Sequence, residues 1–182
     1  GQKTNTYQGT GGVSMGSLFG RALFATKFQD VNILLSDLVN SDSRIMWDRD
    51  PLTRVEKVAP WLTLDQDPYA VVAEGRIKWI VDGYTMSNDY PYSSRVSLSD
   101  ATADSISTRT LPAQLQPNDQ INYMRNSVKA VVDAYDGTVT LYAWDPSDPV
   151  LQTWMKAFPG VVQPASQMPQ SIEAHVRYPQ DQ

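Results

Sequence analysis

Asp82 and Asp89 are the first residues in this 182-residue chain whose type could do chemistry together. Two carboxylates that approach in a folded protein can serve as acid and as nucleophile or base in glycoside cleavage. The chain holds seventeen Asp, however, so some such pair is also expected by chance. Asp48-Arg49-Asp50 and Asp65-Gln66-Asp67 each read Asp-x-Asp, yet neither has the glycine and glutamate of an EF-hand loop. Caps and turns account for both, with a structural calcium ion assembled from several loops as the alternative; no metal site is expected. His175 is the lone histidine, set between Ala174 and Val176. It offers a general base, but no Ser or Asp beside it makes a recognisable triad, and a half-buried polar residue is the plainer reading. Trp79, Tyr84, Tyr90 and Tyr92, with Tyr142 and Trp144, cluster on or after expected strands. Rings in such a place stack on sugars if the sheet face is open, and fill a core if it is not.

The inventory narrows the field further. With no cysteine there is no thiolate nucleophile, Cys-based zinc site or iron–sulfur cluster, and one histidine cannot furnish a typical catalytic zinc site. Nothing in the inventory calls for a cofactor. The net charge is −5, and fifteen cations are scattered without a run, which argues against nucleic acid as a partner. Gly9 to Ser17 (GTGGVSMGS) has P-loop-like spacing between Gly11 and Gly16, but the lysine is missing; as a dinucleotide fingerprint it has Ser14 at the third glycine and no strand before it. A tight turn entering a helix explains the segment, with an anion at the helix start as the alternative.

The elements that must position these residues follow from periodicity and punctuation. Residues 2–16 read as a glycine-rich arm. Ser14 or Ser17 can cap a helix over about 17–28, on which Leu18, Phe19, Ala22, Leu23 and Thr26 share one face and Arg21 and Lys27 lie off it. Val31 to Val39 is apolar enough for a helix or a buried strand. Asp50-Pro51 opens a helix with Leu52, Val55, Val58, Ala59 and Leu62 on its apolar side, ended or bent at Pro60. Ala70–Ala73 and Arg76–Asp82 flank Glu74-Gly75; Val128–Asp133 and Thr138–Trp144 flank Tyr135-Asp136-Gly137. Both read as β-hairpins. Residues 93–120 form a long polar loop, Asp148-Pro149 opens a short helix that Pro159-Gly160 stops, and 161–182 read as a C-terminal extension. Within it, 161–171 resemble a linker and Ser171 to Arg177 a closing helical turn, too short to end a fold, so the polypeptide is expected to continue. The expected fold is α+β, one domain or domain fragment over 2–182: an antiparallel sheet of about four strands built from two hairpins and covered by several short helices.

Several longer strings resemble one family. They are Asn32 to Asp37 (NILLSD), Arg54 to Leu62 (RVEKVAPWL), Trp79 to Thr85 (WIVDGYT), Asn88 to Ser93 (NDYPYS), Arg125 to Val139 (RNSVKAVVDAYDGTV) and Ala157 to Gly160 (AFPG). The chain is similar through nearly its whole length to the uncharacterised protein family numbered 0182, large bacterial integral membrane proteins common in actinobacteria. Gln29, Gln66 and Met86 stand where that resemblance leads one to expect Gly, Gly and Thr. The resemblance implies a multi-pass parent in the cell membrane, with this chain a piece of its extracytoplasmic region. Membrane association would then come through transmembrane segments outside the chain.

Two functions are weighed on these grounds. One is a non-enzymatic binding or assembly module whose partners are the remainder of the parent protein, an envelope protein or a polysaccharide, the last held by Trp79, Tyr84, Tyr90 and Tyr92. The other is a carboxylate-based hydrolase or transferase acting on envelope carbohydrate or a lipid-linked substrate, with Asp82 and Asp89 as its catalytic candidates.

Overall fold

A computed structural model describes residues 7–36, 39–97 and 120–178. The fold is α+β. Strands β4 (Tyr69–Ala73) and β5 (Arg76–Ser87) form the first hairpin, and β8 (Tyr123–Asp133) and β9 (Val139–Ala143) the second. Both arise where sequence demands them. Glu74 and Gly75 adopt positive φ between β-branched arms, and Gly137 does so in the second turn. The hairpins join through β5 and β8, antiparallel neighbours at the centre of the sheet, with a register shift at Gly83/Tyr84.

Two short strands extend this core. β3 (Thr63–Leu64) pairs antiparallel with β5 beyond the end of β4. β10 (Val162–Pro164) runs parallel to β9, giving the order β10-β9-β8-β5-β3 with β4 also on β5. The expected linker over 161–171 is thereby corrected: it supplies an edge strand, because Val162 buries its side chain in the core while the backbone completes a ladder on β9. A strand of three residues has no periodicity to read.

Each face of the sheet has its own cover. On one, Val81, Val128, Ala130, Val132, Leu141 and Ala143 pack under helices α3 (Pro51–Val58) and α4 (Pro149–Ala157), through Leu52, Val55 and Leu151. Both helices begin as the Asp-Pro pairs predict. Asp50 caps α3 by accepting from the Thr53 amide, and Asp148 caps α4 by accepting from those of Val150 and Leu151. On the opposite face, Val71, Ile80, Val131 and Tyr142 pack under Met168 and Ile172, the latter on the one-turn helix α5 (Gln170–Glu173).

The N-terminal part contributes no residue to either core cluster and meets the second hairpin through Tyr7, whose ring lies 4.9 Å from that of Tyr135. β1 (Val13–Ser14) pairs with β2 (Arg44–Ile45), so the end of the expected arm carries a strand, and Arg44 donates to three carbonyls of residues 10–12. Between them lie α1 (Leu18–Phe28), capped by Ser17, and the one-turn α2 (Asn32–Leu35). Of the long polar loop, the two ends pair as β6 (Val96–Ser97) and β7 (Gln120–Ile121); its middle, 98–119, lies outside the described residues.

Candidate functional site

Strand alternation decides where Asp82 goes. Residues two apart share a face, so Asp82 lies with Ile80 under the C-terminal segment rather than in solvent. Its register partner is Lys129 of β8, and the two form a buried ion pair. The Lys129 ammonium also faces the Arg177 carbonyl at 3.4 Å and the Trp144 ring at 5.6 Å from its centroid. Around this pair, the backbone amide of Asp65 donates to the carbonyl of Asp82 at 2.9 Å, and the Tyr84 hydroxyl donates to the Asp65 carboxylate at 3.4 Å. The Tyr69 phenol accepts from the Arg177 amide at 3.0 Å. Burial pushes the Tyr69 hydroxyl above its ordinary range, and the negative charges of Asp82 and Asp65 add to that against the opposing Arg177 contact.

Asp89 is elsewhere. It is exposed, beyond the end of β5, where its amide donates to the Ser87 hydroxyl at 3.1 Å. The strand from Asp82 to Ser87 is continuous, which puts about 16 Å between those two backbones alone at about 3.3 Å per residue. The two carboxylates are not brought together, and the pairing imagined for glycoside chemistry does not form between them.

The aromatic candidates divide in the same way. Tyr84 is buried and Trp79 packs against the core beneath α3. These rings fill space. Tyr90 is half exposed and stacks on Tyr123 with centroids 4.9 Å apart, while Tyr92 is fully exposed at a positive φ. Tyr142 is buried and Trp144 partly exposed. The four rings named as a binding set do not share one surface.

Other predicted positions resolve into structure. His175 is exposed rather than half-buried and shares a hydrogen bond through Nδ1 with the Ser171 carbonyl at 2.9 Å. Asp65 takes the amide of Asp67 in a tight turn, and Asp48 pairs with Lys57. Among the described residues no three His, Asp or Glu side chains converge as metal ligands. The glycine segment ends in the Ser17 cap, whose hydroxyl accepts from the Gly20 amide at 3.0 Å.

Three features escaped the sequence reading. A cleft of about 420 Å³ lies between the β1–β2 ribbon, α3 and the β8–β9 turn, but its cations are committed: Arg54 to the carbonyls of Gly137 and Trp47, Lys57 to Asp48. Trp61, Trp154 and Phe158 form a ladder of stacked rings with centroids 5.1 and 5.9 Å apart. The third is the outward face of α1. Leu18 and Phe19 are each 74% exposed and Leu23 55%; Val31, which precedes α2, and Leu35, which ends it, are exposed as well. The helical-spacing stripe that reads as a core face points away from the core. Only Ala25 of α1 is buried.

A profile of the Uncharacterised protein family (UPF0182) matches residues 1–182. The chain is 61% identical over 180 residues to the UPF0182 protein of Frankia casuarinae, 59% over 180 to that of Frankia alni, and 55% over 181 to that of Arthrobacter sp. strain FB24. These alignments cover 99%, 99% and 100% of this chain but 18% of each relative, so the chain spans under a fifth of their length. No solved structure matches.

Proposed function

The chain belongs to the UPF0182 family, and from that premise we propose that it is a non-enzymatic assembly module on the outer side of a multi-pass membrane polypeptide. Its α1–α2 surface packs against the remainder of that polypeptide. The outward arc of α1 carries this reading. At 100° per residue, Leu18, Ala22, Thr26, Phe19 and Leu23 span about 140° without a charge, and the Thr26 hydroxyl is spent on the Ala22 carbonyl at 2.9 Å. Single exposed leucines need no explanation, but a contiguous apolar surface on a water-facing helix marks an interface. The relatives are more than five times as long as this chain, which leaves ample polypeptide to cover it. The outer location rests on the family resemblance. No helix among the described residues is long and apolar enough to cross a membrane.

The absence of cysteine from the chain makes the test direct. Single cysteines replace Phe19, inside the apolar surface, and Lys156, on the exposed side of α4, in a full-length parent lacking other cysteines. Intact cells are then treated with a membrane-impermeant maleimide. The reading expects fast labelling at 156 and protection at 19, with both reactive after denaturation. Equal labelling at both sites would remove the packed interface, and labelling at 156 only after lysis would remove the outer location.

A further inference from the structure

Asp82 and Lys129 face each other across the two central strands, and neither side chain meets solvent appreciably: Lys129 is 0% exposed and Asp82 6%. Two other buried carboxylates, Asp133 and Asp148, are densely solvated by protein. Asp133 accepts from Lys78, Arg76 and the amides of Tyr135 and Asp136; Asp148 accepts from Thr85, Tyr123 and the amides of Val150 and Leu151. Among the described residues the Asp82 carboxylate accepts from Lys129 alone. A buried ion pair offsets its desolvation only when further hydrogen bonds complete both partners. Register and burial hold the Lys129 nitrogen against the Asp82 carboxyl, the two groups that amide condensation joins, at fixed proximity and away from water.

We propose that Asp82 and Lys129 are joined by an intramolecular isopeptide bond. In the step a proton passes from Lys129 Nζ to one Asp82 oxygen, and the freed amine attacks Asp82 Cγ. The Nζ–Cγ bond forms, the bond from Cγ to the protonated oxygen breaks, and the departing hydroxyl takes a proton from the nitrogen and leaves as water. No oxidant, cofactor or second substrate enters the balance. The new amide is uncharged, which removes the cost of the buried pair, and its remaining N–H faces the Arg177 carbonyl. Burial also keeps out the water that would reverse the step. The link ties β5 to β8 across 47 positions of chain, a span that contains 98–119. A cut anywhere in that polar stretch leaves the halves covalently attached. The bond is independent of the packing assigned to α1.

Full-length protein from its native host is digested with trypsin under denaturing conditions and the peptides are sequenced by mass spectrometry. The expected result is a branched peptide joining residues 79–95 to 126–156, lighter than their sum by one water. Trypsin should fail to cut after residue 129, because the amine is acylated. In Lys129→Arg the branched species disappears and cleavage after 129 returns. A wild-type digest in which the linear 79–95 peptide and the cut after Lys129 account for nearly all the signal overturns the proposal and leaves an ordinary ion pair. That readout needs no variant to fold.

Discussion

The Tyr123 phenol donates to Oδ1 of Asp148 at 2.5 Å, tying the start of β8 to the cap of α4. The Thr85 hydroxyl takes the other oxygen at 2.5 Å, so one carboxylate fastens two strands and a helix. Burial, the Asp148 hydrogen bond and its charge all push the Tyr123 hydroxyl well above the ordinary phenol range. Asp148→Ala is expected to remove a cap worth about 1 kcal/mol, to orphan the Tyr123 hydroxyl and to leave that of Thr85 with Ser127 alone at 3.1 Å, for a total loss of about 3 kcal/mol. Tyr123→Phe, which leaves the cap in place, should cost about 1 kcal/mol. Urea denaturation of the purified chain measures both.

Asp133 sets an acid limit on stability. Burial alone would raise its carboxyl, but the contacts from Lys78, the Tyr135 amide, Arg76 and the Asp136 amide outweigh that and bring it down to about 2. A carboxylate depressed on folding contributes fully above its unfolded value, and the contribution is lost as pH falls through the folded one. Stability should therefore drop by about 2 kcal/mol from this group between about pH 4 and pH 2. Asp133→Asn should be weaker at neutral pH and show a shallower loss over that window in pH-dependent unfolding.

Gln29 ends α1 in the left-handed region at φ 53°, with its amide turned back to Ala25 and Thr26. An L side chain pays for that backbone, and glycine is the residue helices most often place after the last turn. The family resemblance also leads one to expect glycine at this position. Gln29→Gly should stabilise by about 1 kcal/mol, read as a higher melting temperature.

The two hairpin turns should respond unequally to the same change. Gly75 and Gly137 have φ +73° and +75°, so alanine strains either backbone by about 1 kcal/mol. A Cβ at 75 meets nothing within 4 Å, whereas at 137 it falls 2.3 Å from the Arg54 guanidinium. That guanidinium donates to the Gly137 carbonyl at 2.7 Å, so its displacement forfeits a contact as well. Gly137→Ala should therefore lose at least about 1 kcal/mol more than Gly75→Ala in chemical denaturation.

What could be read from the chain itself was whatever depends on neighbours in sequence. Glu74-Gly75 and Asp136-Gly137 specify hairpins, and Asp50-Pro51 and Asp148-Pro149 specify helix starts, by local backbone chemistry alone. β3 and β10 stayed hidden because two or three residues become a strand only when a distant ladder accepts them. The fate of Asp82 depends on Lys129 arriving opposite it from 47 positions away, and no local signal carries that pairing. The stripe on α1 was legible as apolar, but its direction was not: amphipathicity says that a face is covered without saying by what.

The most direct measurement places a photoreactive benzophenone amino acid at Phe19, and separately at Leu23, in the full-length protein within intact cells of its native host. The packed-interface reading predicts that irradiation joins both positions to peptides of the same polypeptide lying outside these 182 residues, identified by mass spectrometry. Adducts only to lipid, to a second polypeptide or to nothing at all would contradict it.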